Sequence, residues 1–181
     1  RVLLSSLEGA AIRSVKITGV THEFTTIPGV MEDVVQILLH LKQIRFRLHG
    51  DEPVKIGLKV KGERVVTAKD FKVTSDVEIV DGDQVIATIS DKKTELEMEI
   101  EIDRGVGYVS VEARDREERE IGVIAVDSIY SPVKRVNYEV ENMRVGKRTD
   151  YDKITLEILT DGSIAPEEAF AKSVTILMDQ F

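Results

Sequence analysis

Cysteine is missing from the chain, which removes disulfides, thiol catalysis and every cysteine-held metal at once and fits a reducing compartment. Tryptophan is missing too, and aromatics are only 5% of the 181 residues, so stacking platforms for single-stranded nucleic acid are poorly supplied. There is no apolar run of about eighteen residues, the length a helix needs to cross a bilayer. Cations are the minority charge. Lys plus Arg total 25 against 33 for Asp plus Glu, and the net charge of -8 works against broad adhesion to phosphate backbones or anionic lipid. What is present is the make-up of a folded protein: 42% hydrophobic and 32% charged residues, in a chain long enough to bury a core without covalent staples.

The stretch Arg1-Val2-Leu3-Leu4-Ser5-Ser6-Leu7 starts inside an apolar helical pattern with no Met and no signal-peptide zoning, so it reads as internal to a longer chain. A strand is predicted over Ala11 to Val20, on Ile12, Val15, Ile17 and Val20. Helical spacing of Val30, Val34, Ile37, Leu38 and Leu41 predicts a helix from Pro28 to Lys42, with Glu32 and Asp33 in its first turn and Lys42 in its last. The period then changes from 3.6 to 2. Strands are predicted from Ile44 to Leu48, Val54 to Val60, Val77 to Val80, Val85 to Ile89, Leu96 to Ile102, Tyr108 to Val111 and Ile121 to Val126. Two more carry Val136, Tyr138 and Val140, then Ile154, Leu156 and Ile158. A last helix follows the Asp161-Gly162 turn, with Pro166 in its first turn and Glu167 and Glu168 complementing its N-terminus. Phe170, Val174, Leu177 and Phe181 share one stripe of it, with Met178 alongside, while Ala169 and Ile176 begin a second. So wide an apolar arc predicts burial on two sides, against the chain's own sheet and against something else.

Catalytic signatures are scarce. His22, His40 and His49 are isolated from one another and from carboxylates at ligand spacing, and read as ordinary imidazoles. Glu95, Glu97, Glu99 and Glu101 alternate with Leu96, Met98, Ile100 and Ile102, which reads as a solvated carboxylate face that also discourages edge pairing. Gly105-Val106-Gly107 lacks the third glycine and the following helix of a dinucleotide fingerprint, and reads as a tight turn or bulge. Ser5-Ser6 has no assignable base. The mixed-charge run Arg114 to Glu120 reads as a solvated loop or a docking patch.

Several phrases, taken in order, resemble one family: Leu3-Leu4-Ser5-Ser6, Thr21-His22-Glu23-Phe24, Asp76-Val77-Glu78-Ile79, Arg104-Gly105 with Gly107-Tyr108, Tyr130-Ser131-Pro132-Val133, Tyr138-Glu139-Val140-Glu141, Arg148-Thr149-Asp150-Tyr151-Asp152-Lys153, and Asp161-Gly162-Ser163-Ile164 with Pro166-Glu167-Glu168-Ala169. Together they are similar to the N-terminal domain of the alpha subunit of bacterial RNA polymerase, over essentially the whole chain. The resemblance implies an α+β fold in two modules. Residues 1–8 and 132–181 would be a dimerisation module of helices on an antiparallel sheet, and residues 9–131 an inserted, mostly β domain. The implied function is a non-catalytic assembly scaffold in the cytoplasm, which pairs with a second alpha copy and recruits the beta and beta-prime subunits. No cofactor, no metal, no membrane and no direct DNA contact by this stretch are implied. By the same resemblance Arg1 and Leu4 face beta, Lys42 and Val126 face beta-prime, and Phe170, Val174, Leu177, Met178 and Phe181 form the dimer face. Glu117 and Glu118 match an acidic patch that some activators touch. Ala165 stands where the family commonly has a capping Asp, which implies a less sharply started last helix, by about 1 kcal/mol. The alternative on the same residues is a stand-alone α+β interaction domain with a different partner; an independent enzyme ranks third.

Overall fold

Two-residue apolar periodicity governs most of the chain, and in the computed structural model, which describes residues 1–114 and 121–181, it yields antiparallel sheet throughout. A single helical turn, α1 (Val2–Ser5), precedes strand β1 (Glu8–Ile17) and helix α2 (Val34–Gln43). Short strands follow: β2 (Phe46–Leu48), β3 (Val54–Lys61), β4 (Arg64–Thr67), β5 (Val77–Ile79) and β6 (Val85–Ile89). Next come the long β7 (Glu95–Val106), then β8 (Tyr108–Val109), β9 (Val123–Ala125) and β10 (Ser128–Ile129). A hairpin of β11 (Val133–Val145) and β12 (Arg148–Thr160) leads to α3 (Pro166–Gln180). The chain divides into two compact units, residues 8–130 and residues 1–7 with 131–181. Among the described residues, no helix is long and apolar enough to cross a membrane.

In the unit of residues 8–130 a sheet runs in the order β3-β7-β1-β2-β5, with β9 also paired to β1. Its core is made by alternation. Leu96, Met98, Ile100 and Ile102 of β7 point inward and are buried, and Ile100 is flanked by its register partners Ile56 and Val15. α2 covers this core with Val34, Ile37 and Leu41.

Four expectations need correction. The first helix starts at Val34, not Pro28, because Asp33 closes a capping box: Gln36 N donates to Asp33 Oδ1 at 2.7 Å and Asp33 N to Gln36 Oε1 at 3.2 Å. Glu32 stays outside the helix, accepting from Thr88 N at 2.7 Å and Thr88 Oγ1 at 3.0 Å. The glutamate row does not guard an edge. β7 lies between β3 and β1, and its carboxylates meet cations across the strand boundary, with Lys59 Nζ 3.0 Å from Glu95 and 3.8 Å from Glu97, and Lys55 Nζ 3.9 Å from Glu99. Lysines of the true edge strand, β3, take that protective position. Gly105 and Val106 continue β7, and only Gly107, at φ +68, makes the turn. Finally, β4 forms outside every predicted strand, and β11 and β12 are far longer than their apolar centres.

The second unit is a long ribbon with two helices. Gly146, at φ +64, takes the first position of the two-residue hairpin loop. Leu3, Leu7, Val133 and Ala169 are buried together, with Val136, Ile158, Ile164 and Ile176 packed against them.

Candidate assembly surfaces

α3 has two apolar faces, and they are unequal. Ala169 and Ser173 are buried and Ile176 packs on the small core, so this is the inward side. Ser173 tolerates burial because its hydroxyl donates to Phe170 O at 2.7 Å. The outward side carries Phe170, Val174, Leu177, Met178 and Phe181, all exposed, with Met178 at 72%. The two stripes follow from 3.6-residue spacing, and a lone helix on a sheet needs only one of them.

The adjacent ribbon repeats the imbalance. Val136 and Ile158 are register partners that pack on the core, and the same face continues through Tyr138 opposite Leu156 and Val140 opposite Ile154, all four exposed. The middle of its reverse face is polar: Arg135 Nη2 lies 3.0 Å from Glu157 Oε1 and Asn137 donates to Glu157 Oε2 at 2.8 Å. That hydrogen bond, followed by the Arg135 charge, holds the Glu157 carboxyl below its usual range.

Arg1 and Leu4 share a side of α1. The Arg1 carbonyl accepts from Leu4 N at 3.0 Å, Ser5 N at 3.1 Å and Ser5 Oγ at 3.0 Å, which fixes the turn. Leu3 and Leu7 go into the core while Arg1 and Leu4 stay exposed, and Ser131 Oγ donates to Leu4 O at 3.0 Å.

In the other unit, Lys42 and Val126 separate by burial. Val126 is buried in the core, so its side chain offers nothing at the surface. Lys42, in the last turn of α2, reaches Asp127 Oδ2 at 3.3 Å. Asp127 Oδ1 accepts from Val111 N at 2.9 Å. The Val111 N–H is the largest cause of a lowered Asp127 pKa, with Lys42 acting the same way against partial burial. Nothing local in the sequence marks Asp127, because its partner lies 85 residues away.

Tyr130 is the other polar centre. Its hydroxyl donates to Asp103 Oδ1 at 2.5 Å and accepts from Arg114 Nη2 at 2.6 Å, with the Arg114 guanidinium 5.8 Å from the ring centroid. Burial, then the Asp103 bond, pushes its pKa up to about 12.

His22 and His49 are exposed, and His40 Nδ1 donates to Ile86 O at 2.9 Å. Among the described residues no three His, Cys, Asp or Glu side chains gather as a metal site. Glu117 and Glu118 lie outside the described residues.

These surfaces are apolar or paired-charge patches on helices and sheet, suited to protein contact. A family model described as the RNA polymerase Rpb3/RpoA insert domain matches residues 15–131. The chain belongs to this family. Named relatives are bacterial: the DNA-directed RNA polymerase subunit alpha of Moorella thermoacetica is 53% identical over 179 residues, covering 99% of this chain and 57% of that protein. That of Carboxydothermus hydrogenoformans is 52% identical with the same coverage, and that of Lawsonia intracellularis is 51% identical over 99% of this chain and 52% of its own length. The chain thus spans a little over half the length of these alpha subunits. Its match to them is to the N-terminal region expected from the motifs, and the stand-alone alternative is not favoured.

Proposed function

We propose that this chain is part of a non-catalytic alpha-subunit scaffold that pairs with a second copy of itself and recruits the large beta and beta-prime subunits of RNA polymerase for DNA-templated transcription. The observation that carries this is the outward stripe of α3. Its inward face already satisfies the small core, so Phe170, Val174, Leu177, Met178 and Phe181 gain only from a partner. Each such side chain gives about 1.5–3 kcal/mol when fully buried. A second copy offers a matching stripe in a self-complementary interface. The exposed apolar face of the β11–β12 ribbon supports the same reading, because a two-stranded ribbon is at best marginally stable without cover.

The Arg1 and Leu4 side is the beta-facing surface: a guanidinium fork for partner oxygens beside an apolar anchor that excludes water. The Lys42 side faces beta-prime, and Glu117 and Glu118 meet activators. Nucleotidyl transfer belongs to the large subunits, in the cytoplasm, and the net charge of -8 leaves DNA contact to other parts of the enzyme.

The test uses the natural full chain. Leu177→Asp puts a charge into the stripe and should give monomers by light scattering with an unchanged far-ultraviolet dichroism spectrum. Arg1→Ala should keep the dimer and weaken capture of beta. A dimer that survives Leu177→Asp would assign the stripe to some other contact.

A further inference from the structure

A single carboxylate ties together three segments of the residue 8–130 unit: the end of α2, the chain after β8, and the link between β9 and β10. We propose that Asp127 is the positioning residue of the Lys42 surface, aiming the Lys42 ammonium at oxygen acceptors of the partner; this rests on the reading of that surface as beta-prime-facing.

The division of labour between the two oxygens carries the proposal. Asp127 Oδ1 is spent on the backbone, accepting from Val111 N at 2.9 Å, and Oδ2 is left for Lys42 Nζ at 3.3 Å. The carboxylate is therefore oriented by the main chain before it meets the lysine. Burial sets this pair apart from the ladder pairs. The Lys42 and Asp127 side chains are 25% and 34% exposed, whereas Lys59 and Glu97 are 55% and 47% exposed. Water competes less for the half-buried pair, so its geometry persists.

An ammonium has three donors. One goes to Asp127, and the tether restricts where the other two can point. A free lysine loses rotamer freedom when a partner fixes it, and a tethered one has lost part of that freedom already. The surroundings are held in the same way: Ile129, cross-strand from Tyr108 and exposed like it, has its carbonyl bonded by Arg45 Nη1 at 3.4 Å. Lys42, Asp127 and the exposed Ile129 line one small cleft, so the directed ammonium has an apolar side chain beside it that can exclude water when a partner docks.

The test compares Asp127→Asn, Lys42→Gln and the double variant in the natural full chain. Asn retains an oxygen for the Val111 N–H, so the local backbone is kept. Three quantities are read: acylation rate of the Lys42 amine by mass spectrometry, affinity for purified beta-prime, and affinity for beta. Asp127→Asn should speed Lys42 acylation several-fold, weaken beta-prime capture about tenfold and leave beta capture unchanged. The double variant should bind no worse than Lys42→Gln alone, because Asp127 acts through Lys42. Unaltered Lys42 acylation in Asp127→Asn, or additive losses in the double variant, would overturn the positioning role alone. Unaltered beta-prime capture by Lys42→Gln would overturn the surface reading, and this role with it.

Discussion

Gly9 and Gly105 stand opposite each other as register partners in β1 and β7, and Tyr130 occupies the space that both leave empty. A Cβ on Gly9 would collide with the Tyr130 backbone carbonyl, and one on Gly105 would come within 2.7–2.8 Å of the ring. Neither glycine has a positive φ, so their smallness and not their flexibility is what the fold uses. Gly9→Ala and Gly105→Ala should each destabilise the unit, by about 1–3 kcal/mol for an overpacked site. Gly9→Ala should cost more, because backbone must move where Gly105→Ala displaces a ring. Urea midpoints of the two variants check this, and a midpoint equal to wild type would mean that Tyr130 is free to shift.

That arrangement explains a misreading. Gly105-Val106-Gly107 suggests a turn to anyone who looks five residues either way, yet Gly105 answers to a tyrosine much further along the chain. Local patterns were legible where one force dominated: Leu96 to Ile102 alternate because one face is core, and the α3 stripes keep helical spacing. The start of α2 was legible in principle, since Asp33 and Gln36 have capping-box spacing, but the apolar Val30 and the acidic Glu32 imitate an earlier first turn. The outer half of β12 carries no apolar alternation, because Arg148 to Asp152 are exposed on both faces. Of the surfaces, the exposed side of α3 could be read from spacing, whereas Lys42 and Asp127 meet only after folding.

Tyr130 should shape the alkaline limb of stability. In the unfolded chain a tyrosine ionises near its ordinary 10.0, while in the fold Tyr130 is pushed up to about 12, by burial first and by its bond to Asp103 second. The folded state therefore holds this proton more tightly. Its contribution is complete below pH 10 and is lost as pH rises from 10 towards 12. Tyr130→Phe has no such proton, so its urea midpoint should fall less steeply over that range. Tyr108, whose pKa is also raised, is present in both proteins and cancels in the comparison. Parallel curves would assign the slope to other groups.

Lys59 sits between Glu95 and Glu97, and the hydrogen bond to Glu95, then the charges of both, raise its pKa. Lys59→Glu would place a third carboxylate in that gap on an exposed sheet face. The denaturation midpoint should drop at low ionic strength and recover largely when salt is added, since exposed charges are screened over about 8–10 Å near physiological salt. A loss that salt does not relieve would instead indicate packing of the lysine stem against β7.

The two long helices differ at their first residue, and the difference can be exploited. Asp33 caps α2 through its side chain, whereas Ala165 caps α3 with none. Ala165 nevertheless has the extended conformation of a cap, φ -71 and ψ 144, with Pro166 just inside the helix, so only the side-chain acceptor is missing. Ala165→Ser should supply it and stabilise the fold by about 0.5–1 kcal/mol, while Asp33→Ala should cost about 1 kcal/mol at α2. Serine is preferable to aspartate here, because Glu167 and Glu168 already place two carboxylates in the first turn and a third would be repelled. The outward stripe begins at Phe170, one turn further on, so no contact of the proposed dimer face is altered. The dimerisation constant of the natural full chain should then change only as far as α3 frays in the free monomer. Thermal melting of Ala165→Ser beside its dimerisation constant separates the two effects. A raised melting temperature with an unchanged constant shows that α3 is already formed before pairing, and a rise in both shows that pairing completes it.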